Sequence, residues 1–445
     1  MNMIKTNEDV LKSIEENQIR FLRLQFVDIG GMVKNVGIPV SQAEKALTSG
    51  IAFDGSSIEG FVRIEESDMI LKPDINTYQI LPWDVSGGKV ARIICDVHKP
   101  NGKPFEGDPR YVLKRAIQEA AKRGYVMNTG PELEFFFFKR ANGAVITPPV
   151  PHDFGGYFDF PPVDLAEETR QNIVVALENM GFNIEASHHE VSIGQHEIDF
   201  KYADALKTAD NVITFKFVTK TIAQHNDLHA SFMPKPIFGI NGSGMHTNIS
   251  LFKDNKNAFY DEKKDMEISE TLRYFVGGLK KHVKSFTAIT NPIVNSYKRI
   301  VPGYEAPVYI AWSGANRSSM IRIPAARGMS TRVELRSPDP SCNPYLSFAV
   351  ILMAGLDGID NKIEPGEPTT LNLFHLDDEG RKKHGIESLP GSLKEALDNL
   401  ETDNIIRDAL GEHVYGDFMR LGRAEWDAYR ISVHDWELNR YLNII

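Results

Sequence analysis

Cysteine is nearly absent: Cys95 and Cys342 are the only two in 445 residues. Two thiols so far apart make no disulfide framework, so a reducing, cytoplasmic setting is expected. Long apolar runs are missing as well. The longest, roughly Tyr345 to Leu356, falls short of the about 20 residues that a membrane-spanning helix needs. A buried helix is expected there, and no membrane partner. The segment Met1–Val10 is polar and lacks the apolar stretch of a secretory signal. Dense Lys/Arg runs do not occur, and 60 acidic against 50 basic side chains leave a net charge of −10. A protein that binds a nucleic-acid backbone needs a basic stripe, so no direct nucleic-acid partner is expected. Solubility explains most of that acidity, but a cluster that takes cations would use part of it. There is no internal repeat, and no Gly-Lys-Ser/Thr phosphate loop.

The length suggests two to three domains. Residues 20–28 and 32–39 read as a hairpin about Gly30-Gly31, followed by a short helix at 41–48 and strands near 77–82 and 89–97. Lys99 to Asp108 is rich in Pro, Gly and charge and reads as a linker, which divides the chain into 1–103 and 104–445. Asp108-Pro109 then starts a helix that lasts to Lys122. Further helices are expected at 167–180, 204–225, 268–285 and 343–358, and strands at 131–138, 184–193, 196–201, 245–252 and 332–337. From about 390 the chain reads as helical. The fold class is α+β, with a small β-rich N-terminal domain and a large C-terminal one.

Acids recur on the polar faces of these strands. Period-two alternation puts Glu132 and Glu134 on one side of their strand. Glu190 and Glu197 flank a turn at Gly194, and His246, Asn248 and Ser250 share a face. Arg332 and Arg336 flank Glu334. Any one of these acids is ordinarily just solvated. Five carboxylates converging on one surface would repel and be costly to bury, unless divalent cations sat among them. Oxygen ligands with one imidazole suit magnesium or manganese. The glycine loop Gly239–Gly244 allows close backbone approach to a ligand. Arg299, Arg317, Arg322, Arg332 and Arg336 supply anion-binding forks. Acids for metal, arginines for anions and a glycine loop together suggest phosphoryl transfer. Surface ion pairs would be the plainer explanation.

The blocks Phe53–Phe61 with Glu66-Ser67-Asp68, Pro131–Glu134, Ala186–Asp199, Lys235–His246, Asn295–Pro307, Asn316–Pro324 and Ser330–Arg336 occur in this order. In them the chain resembles bacterial type I glutamine synthetase along essentially its whole length. The resemblance implies a β-grasp N-terminal domain and a catalytic domain built on a curved antiparallel sheet backed by helices. It implies a homo-dodecamer of two stacked hexameric rings, with active sites between adjacent subunits. It implies ATP-dependent joining of ammonia to the γ-carboxylate of L-glutamate through γ-glutamyl phosphate, with two or more Mg2+ or Mn2+ ions per subunit.

By the same resemblance, Glu134, Glu190 and Glu197 hold a first metal, and Glu132, His246 and Glu334 a second. Asn241, Gly242, Arg299, Glu305 and Arg336 bind glutamate, with Arg317 near both substrates. Glu185, Asn248, Ser250 and Arg322 line the ATP site. Asp54 takes a proton from ammonium, Ser57 helps seat it, and Glu305 sits on a flap over the intermediate. Relatives controlled by adenylylation carry Asn-Leu-Tyr-Asp. Here Asn372-Leu373-Phe374-His375 has no Tyr, so that control is not expected. Arg63 matches the subclass inhibited by glutamine, whose members bind nitrogen-responsive transcription factors. Asn248 stands where some relatives have His. Two rivals stay open: a ligase that takes another amine, and a non-catalytic regulatory relative. The intact Asp54 loop and Glu305 disfavour the first, and the complete metal-ligand set disfavours the second.

Overall fold

The computed structural model describes residues 4–58, 60, 68–83, 87–314, 319–370, 379, 381 and 384–445. Arg63, Arg317 and the segment with Phe374 lie outside the described residues.

Among the described residues, the N-terminal unit carries a six-stranded sheet. Its central strand Ile19–Val27 pairs antiparallel with Val33–Pro39 and parallel with Lys89–His98. This mix of a hairpin and a parallel neighbour makes a β-grasp sheet. The hairpin turn closes because Asp28 Oδ1 accepts the Met32 amide at 2.8 Å. Gly31 there has φ +83°, and a Cβ on it would lie 3.1 Å from Asn343 Cα. The turn tip thus docks onto the large unit, where Asn343 Nδ2 donates to Asp28 O at 3.1 Å. A helix at Asn7–Glu16, capped by Thr6, was not expected, because its polar sequence carries only a thin apolar stripe of Val10 and Ile14. The strand expected near 77–82 shrinks to Gln79–Ile80. Asp74 caps a 3-10 turn at Ile75–Thr77 instead.

Among the described residues, the large unit carries an eleven-stranded sheet. Its centre is the long strand Val126–Ala141, which pairs antiparallel with Gln195–Phe200 on one side and Met245–Lys253 on the other. Beyond Met245–Lys253 lie Val333–Leu335, Ile321–Arg322 and Trp312–Ser313. The last pair is parallel, an exception to the antiparallel expectation. Val126–Ala141 is apolar on its inner face, where Leu133, Phe135 and Phe137 are fully buried.

The helix Pro344–Asp360, with Asn343 as N-cap and Pro at its start, holds the long apolar run and is buried almost throughout. It crosses Glu270–Thr290 closely. A Cβ at Gly278 would lie 2.1 Å from Ala354 O, and one at Gly358 would lie 2.1 Å from Tyr274 O. No helix among the described residues is long and apolar enough to cross a membrane. Arg110, on the helix Pro109–Lys122, ties the two units together. It is buried and pairs with Asp74 and Asp96 at 2.7 Å and with Asp210 at 2.9 Å. A buried guanidinium among three carboxylates is stable only while all stay in place.

Candidate active site

Strand register does what local pattern cannot: it sets distant residues side by side. Glu134 pairs with Glu197, and Glu132 pairs with Asp199 on one side and His246 on the other. Asn248 pairs with Glu334, and Glu334 with Arg322. Directly opposed residues in an antiparallel sheet share a face. Five acids and one imidazole therefore crowd one surface. The strand expected at 184–193 ends at His189, so Glu190 sits in the turn that leads to Gln195. Gly194, with φ +67°, makes that turn.

Glu132, His246 and Glu334 bring one ligand atom each within 4.8 Å of one another. Asn248 Nδ2 donates to Glu132 Oε1 at 2.9 Å and to Gly130 O at 3.2 Å. Burial would raise the Glu132 carboxyl, but the contact with His246 and the Asn248 amide bring it down to about 2. Burial, then the nearby Arg336, lower His246, so its ring is neutral and ready to ligate. Glu334, 2% exposed, pairs with Arg336 and, at 2.8 Å, with Arg322.

The other ligands behave differently. Glu134 Oε2 accepts from Gly244 N at 2.9 Å and Gln195 Nε2 at 3.0 Å. Burial and the neighbouring Glu190 still push it up to about 8. Burial, then Asp199 and Glu134, raise Glu197 well above the carboxylate range. Asp199 is pushed up to about 7 by burial and then by Glu132. Its Oδ1 is buried with no hydrogen-bond partner. Carboxyls raised by burial and by one another, with an orphaned buried oxygen among them, fit a donor set for cations.

Among the described residues, Glu134, Glu190 and Glu197 do not close to 4.8 Å; His188, Glu197 and Asp199 do. Glu190 turns instead to His188 Nε2 at 2.9 Å, and its other oxygen accepts the Val191 amide. His188, Asp199 and Gln195 were not singled out by sequence, although alternation from Glu197 and Glu190 points to the first two.

A cavity of about 450 Å³ opens beside Glu132, lined by Glu185, Asp199, Asn248, Ser250 and Arg332. Arg332 donates to Asn248 Oδ1 at 2.9 Å. On the far side, Gly242 and Gly244 allow the backbone to pass where any side chain would collide. A Cβ on Gly242 would lie 2.2 Å from Pro234 O, and one on Gly244 would lie 2.5 Å from an Arg299 nitrogen. Arg299 is 2% exposed and gives its donors to Ser337 O at 2.9 Å and Arg336 O at 3.2 Å. Asn241 O accepts from Ser192 at 3.2 Å. Glu305 is exposed in the loop that follows Pro302-Gly303. Asp54 and Ser57 are exposed on the small unit, and Asp54 accepts the Ser56 amide at 2.8 Å. Among the described residues, no hydrogen bond or ion pair joins Asp54 or Glu305 to the acid cluster.

Two family descriptions fit the chain. "Glutamine synthetase, beta-Grasp domain" matches residues 18–100, and "Glutamine synthetase, catalytic domain" matches residues 106–441. The chain is 58% identical to the glutamine synthetase of Methanosarcina mazei, covering 100% of this chain and 99% of that one. It is also 58% identical to that of Thermus thermophilus, over 98% and 99% respectively. Among solved structures, a Plasmodium falciparum glutamine synthetase superposes with a TM-score of 0.89 at 28% identity, covering 98% of this chain and 99% of the other. A GmaS–ADP complex superposes with a TM-score of 0.88 at 31% identity, over the same shares. With both domains matched and relatives similar from end to end, the chain belongs to the glutamine synthetase family.

Proposed function

We propose that the chain joins ammonia to the γ-carboxylate of L-glutamate at the expense of ATP, through γ-glutamyl phosphate, as a cytoplasmic enzyme. The observation that carries this is the sheet register, which gathers Glu132, Glu134, Glu197, His246 and Glu334 beside a cavity large enough for a nucleotide. The donor set of carboxylates with one imidazole fits Mg2+ or Mn2+. Glu134, Glu190 and Glu197 would hold one ion and Glu132, His246 and Glu334 the other. When bound, the ions would neutralise phosphate charge and polarise the oxygens in transfer.

Glu185, Asn248, Ser250 and Arg322 belong to ATP. Arg332, which lines the cavity and braces Asn248, is added to that set. A carboxylate is a poor electrophile; phosphorylation gives it a leaving group. Arg336, beside Glu334, and Arg317 stabilise charge on the moving phosphoryl group. Glu190, Asn241, Gly242, Arg299 and Arg336 form the glutamate side, with Arg299 acting by bracing the 336–338 backbone. Asp54 takes the proton from ammonium that Ser57 seats, and Glu305 closes the site against water.

Asp54 is exposed and unpaired with this chain's acids, which supports a site completed by a neighbouring chain in a dodecamer of two hexameric rings. The exposed apolar C-terminal segment, with Trp436 at 66%, Leu442 at 71% and Ile445 at 97%, supports burial of that end between copies. The boundary at 1–103 and 104–445 separates the two units. Feedback by glutamine through Arg63, and a transcription-factor partner, complete the reading.

The test is an assay with glutamate, ATP, Mg2+ and either ammonium or a panel of amines. Glutamine, ADP and phosphate in equal amounts, with ammonium preferred, support the reading. Preference for methylamine or a larger amine would replace it with an amine ligase, and no turnover would leave only a regulatory relative.

A further inference from the structure

Beneath the metal-ligand face lies a second group of charges that the reaction does not touch. Asp153, His189 and His196 are buried to within 1%, on the side of the sheet away from Glu190 and Glu197. His189 Nδ1 is 2.7 Å from Glu190 O, and a carbonyl only accepts, so Nδ1 carries a proton. Its Nε2 is 3.0 Å from Asp153 Oδ1. Both nitrogens donate, so the ring is an imidazolium paired with the Asp153 carboxylate. Asp153 Oδ1 also accepts Gly194 N at 3.0 Å, and Oδ2 accepts Leu165 N at 3.2 Å.

Next to this pair, Arg170 Nη1 donates to His196 Nδ1 at 3.0 Å and Nη2 pairs with Asp164 at 2.6 Å. The rings of His189 and His196 meet edge to face, 4.7 Å apart. Two acids thus face two cations, and the group is neutral without a metal. Its imidazole nitrogens are largely spent on protein partners, and a guanidinium stands beside it. A cation is therefore not its purpose, although three ligand atoms approach within 4.8 Å.

What these bonds fix is the turn from Glu190 to Gln195. One end is held at Glu190 O by His189, and the other at Gly194 N by Asp153. Phe158 N also donates to His189 O at 3.1 Å, so the 153–165 segment is laced to the same strand. Glu190 and Glu197 are the residues that flank this turn. Resting on the metal roles proposed above, we infer that Asp153 and His189 are a positioning pair that sets the spacing of Glu190 and Glu197, and with it the affinity of the first metal site alone.

The test is Mn2+ binding to the assembled protein at fixed pH, followed by electron paramagnetic resonance and calorimetry. In the wild type, the two classes of ion are assigned with Glu190→Ala and Glu334→Ala. Asp153→Asn is nearly isosteric but loses the charge and one acceptor. It should raise the first-site Kd by about 10- to 100-fold and leave the second within about threefold, in the range seen when an outer partner of a metal ligand is removed. His189→Gln should act alike, and the double variant should be no worse than the stronger single, because the pair works as a unit. Parallel loss at both sites, no loss at the first, or additive losses would overturn the inference. Failure of the wild type to hold two classes of Mn2+ would instead overturn the metal roles on which it rests.

Discussion

Metal affinity at the two sites should respond to pH in opposite degrees. Glu134 sits at about 8 because of burial and Glu190, and Glu197 is raised further by burial and Asp199. Glu134 therefore holds a proton at pH 7, and a cation must displace it. For Glu134 alone, one unit between pH 7 and its value costs about 1.4 kcal/mol, or about tenfold in affinity. That proton leaves on binding, so log K at the first site should rise about one unit per pH unit near neutrality. The slope should flatten once pH passes about 8 for Glu134. The second site differs: Glu132 is ionised down to about 2 and His246 is lowered by burial. Its slope near pH 7 should be close to zero. Mn2+ calorimetry from pH 6.5 to 9 reads this out, in buffers of different ionisation heat, with Glu334→Ala isolating the first site and Glu190→Ala the second. A flat first-site slope, or the steeper slope at the second site, would refute the electrostatic account.

Three further outcomes are expected. Asp54→Ala should lose ammonia-dependent synthesis by about 100-fold or more, in line with removal of a general base, while glutamate-dependent phosphoryl transfer from ATP changes far less; equal loss of both partial reactions would count against Asp54 as the base. If Asp54 faces a neighbour's acids, then Asp54→Ala and Arg336→Ala, each inactive, should regain about a quarter of the sites when denatured, mixed equally and reassembled, against a refolded wild-type control; no recovery alongside an active control would put both residues in one chain. His282 lies between Asp403 at 2.7 Å and Asp357 at 2.8 Å, with Lys281 also on Asp357 at 2.9 Å. Burial lowers His282, but the two carboxylates outweigh it and raise it, so its stabilisation is full below the ordinary imidazole range and fades as pH rises through the raised value. The same contacts lower Asp357 and Asp403 against burial, so their share fades only as pH falls through their lowered values. His282→Gln should cost about 2 kcal/mol at pH 6 and much less at pH 9, measured by denaturant midpoint; equal losses would disprove the linkage.

Alternation was readable where one face is buried. Glu132 and Glu134 are marked by Leu133 and Phe135 between and after them, and a strand buried on one face obeys that pattern. The same rule reaches Asp199 from Glu197 and His188 from Glu190, yet a lone polar residue on a strand gives no reason to choose it. Convergence was not readable, because the register that sets Glu132 against both Asp199 and His246 is a property of paired strands far apart in sequence. A cap and a proline placed the start of Pro109–Lys122 well, and the apolar run marked Pro344–Asp360. The helix Asn7–Glu16 escaped, since only Val10 and Ile14 are buried in it. Asp153 gave no signal: it sits in a proline-rich loop, 36 residues from the histidine it pairs with. Arg299 looked like a free anion fork; the fold spends it on the carbonyls of residues 336–338.

The account's central claim is that these acids and arginines move a phosphoryl group onto the substrate's γ-carboxylate. Glutamate labelled with 18O in that carboxylate, turned over with ATP, Mg2+ and ammonium, tests it directly. Mass spectrometry of the released phosphate should find one 18O per molecule, carried over when ammonia displaces the acyl phosphate. Phosphate with no label would contradict the claim, because the carboxylate oxygen would never have been bonded to phosphorus.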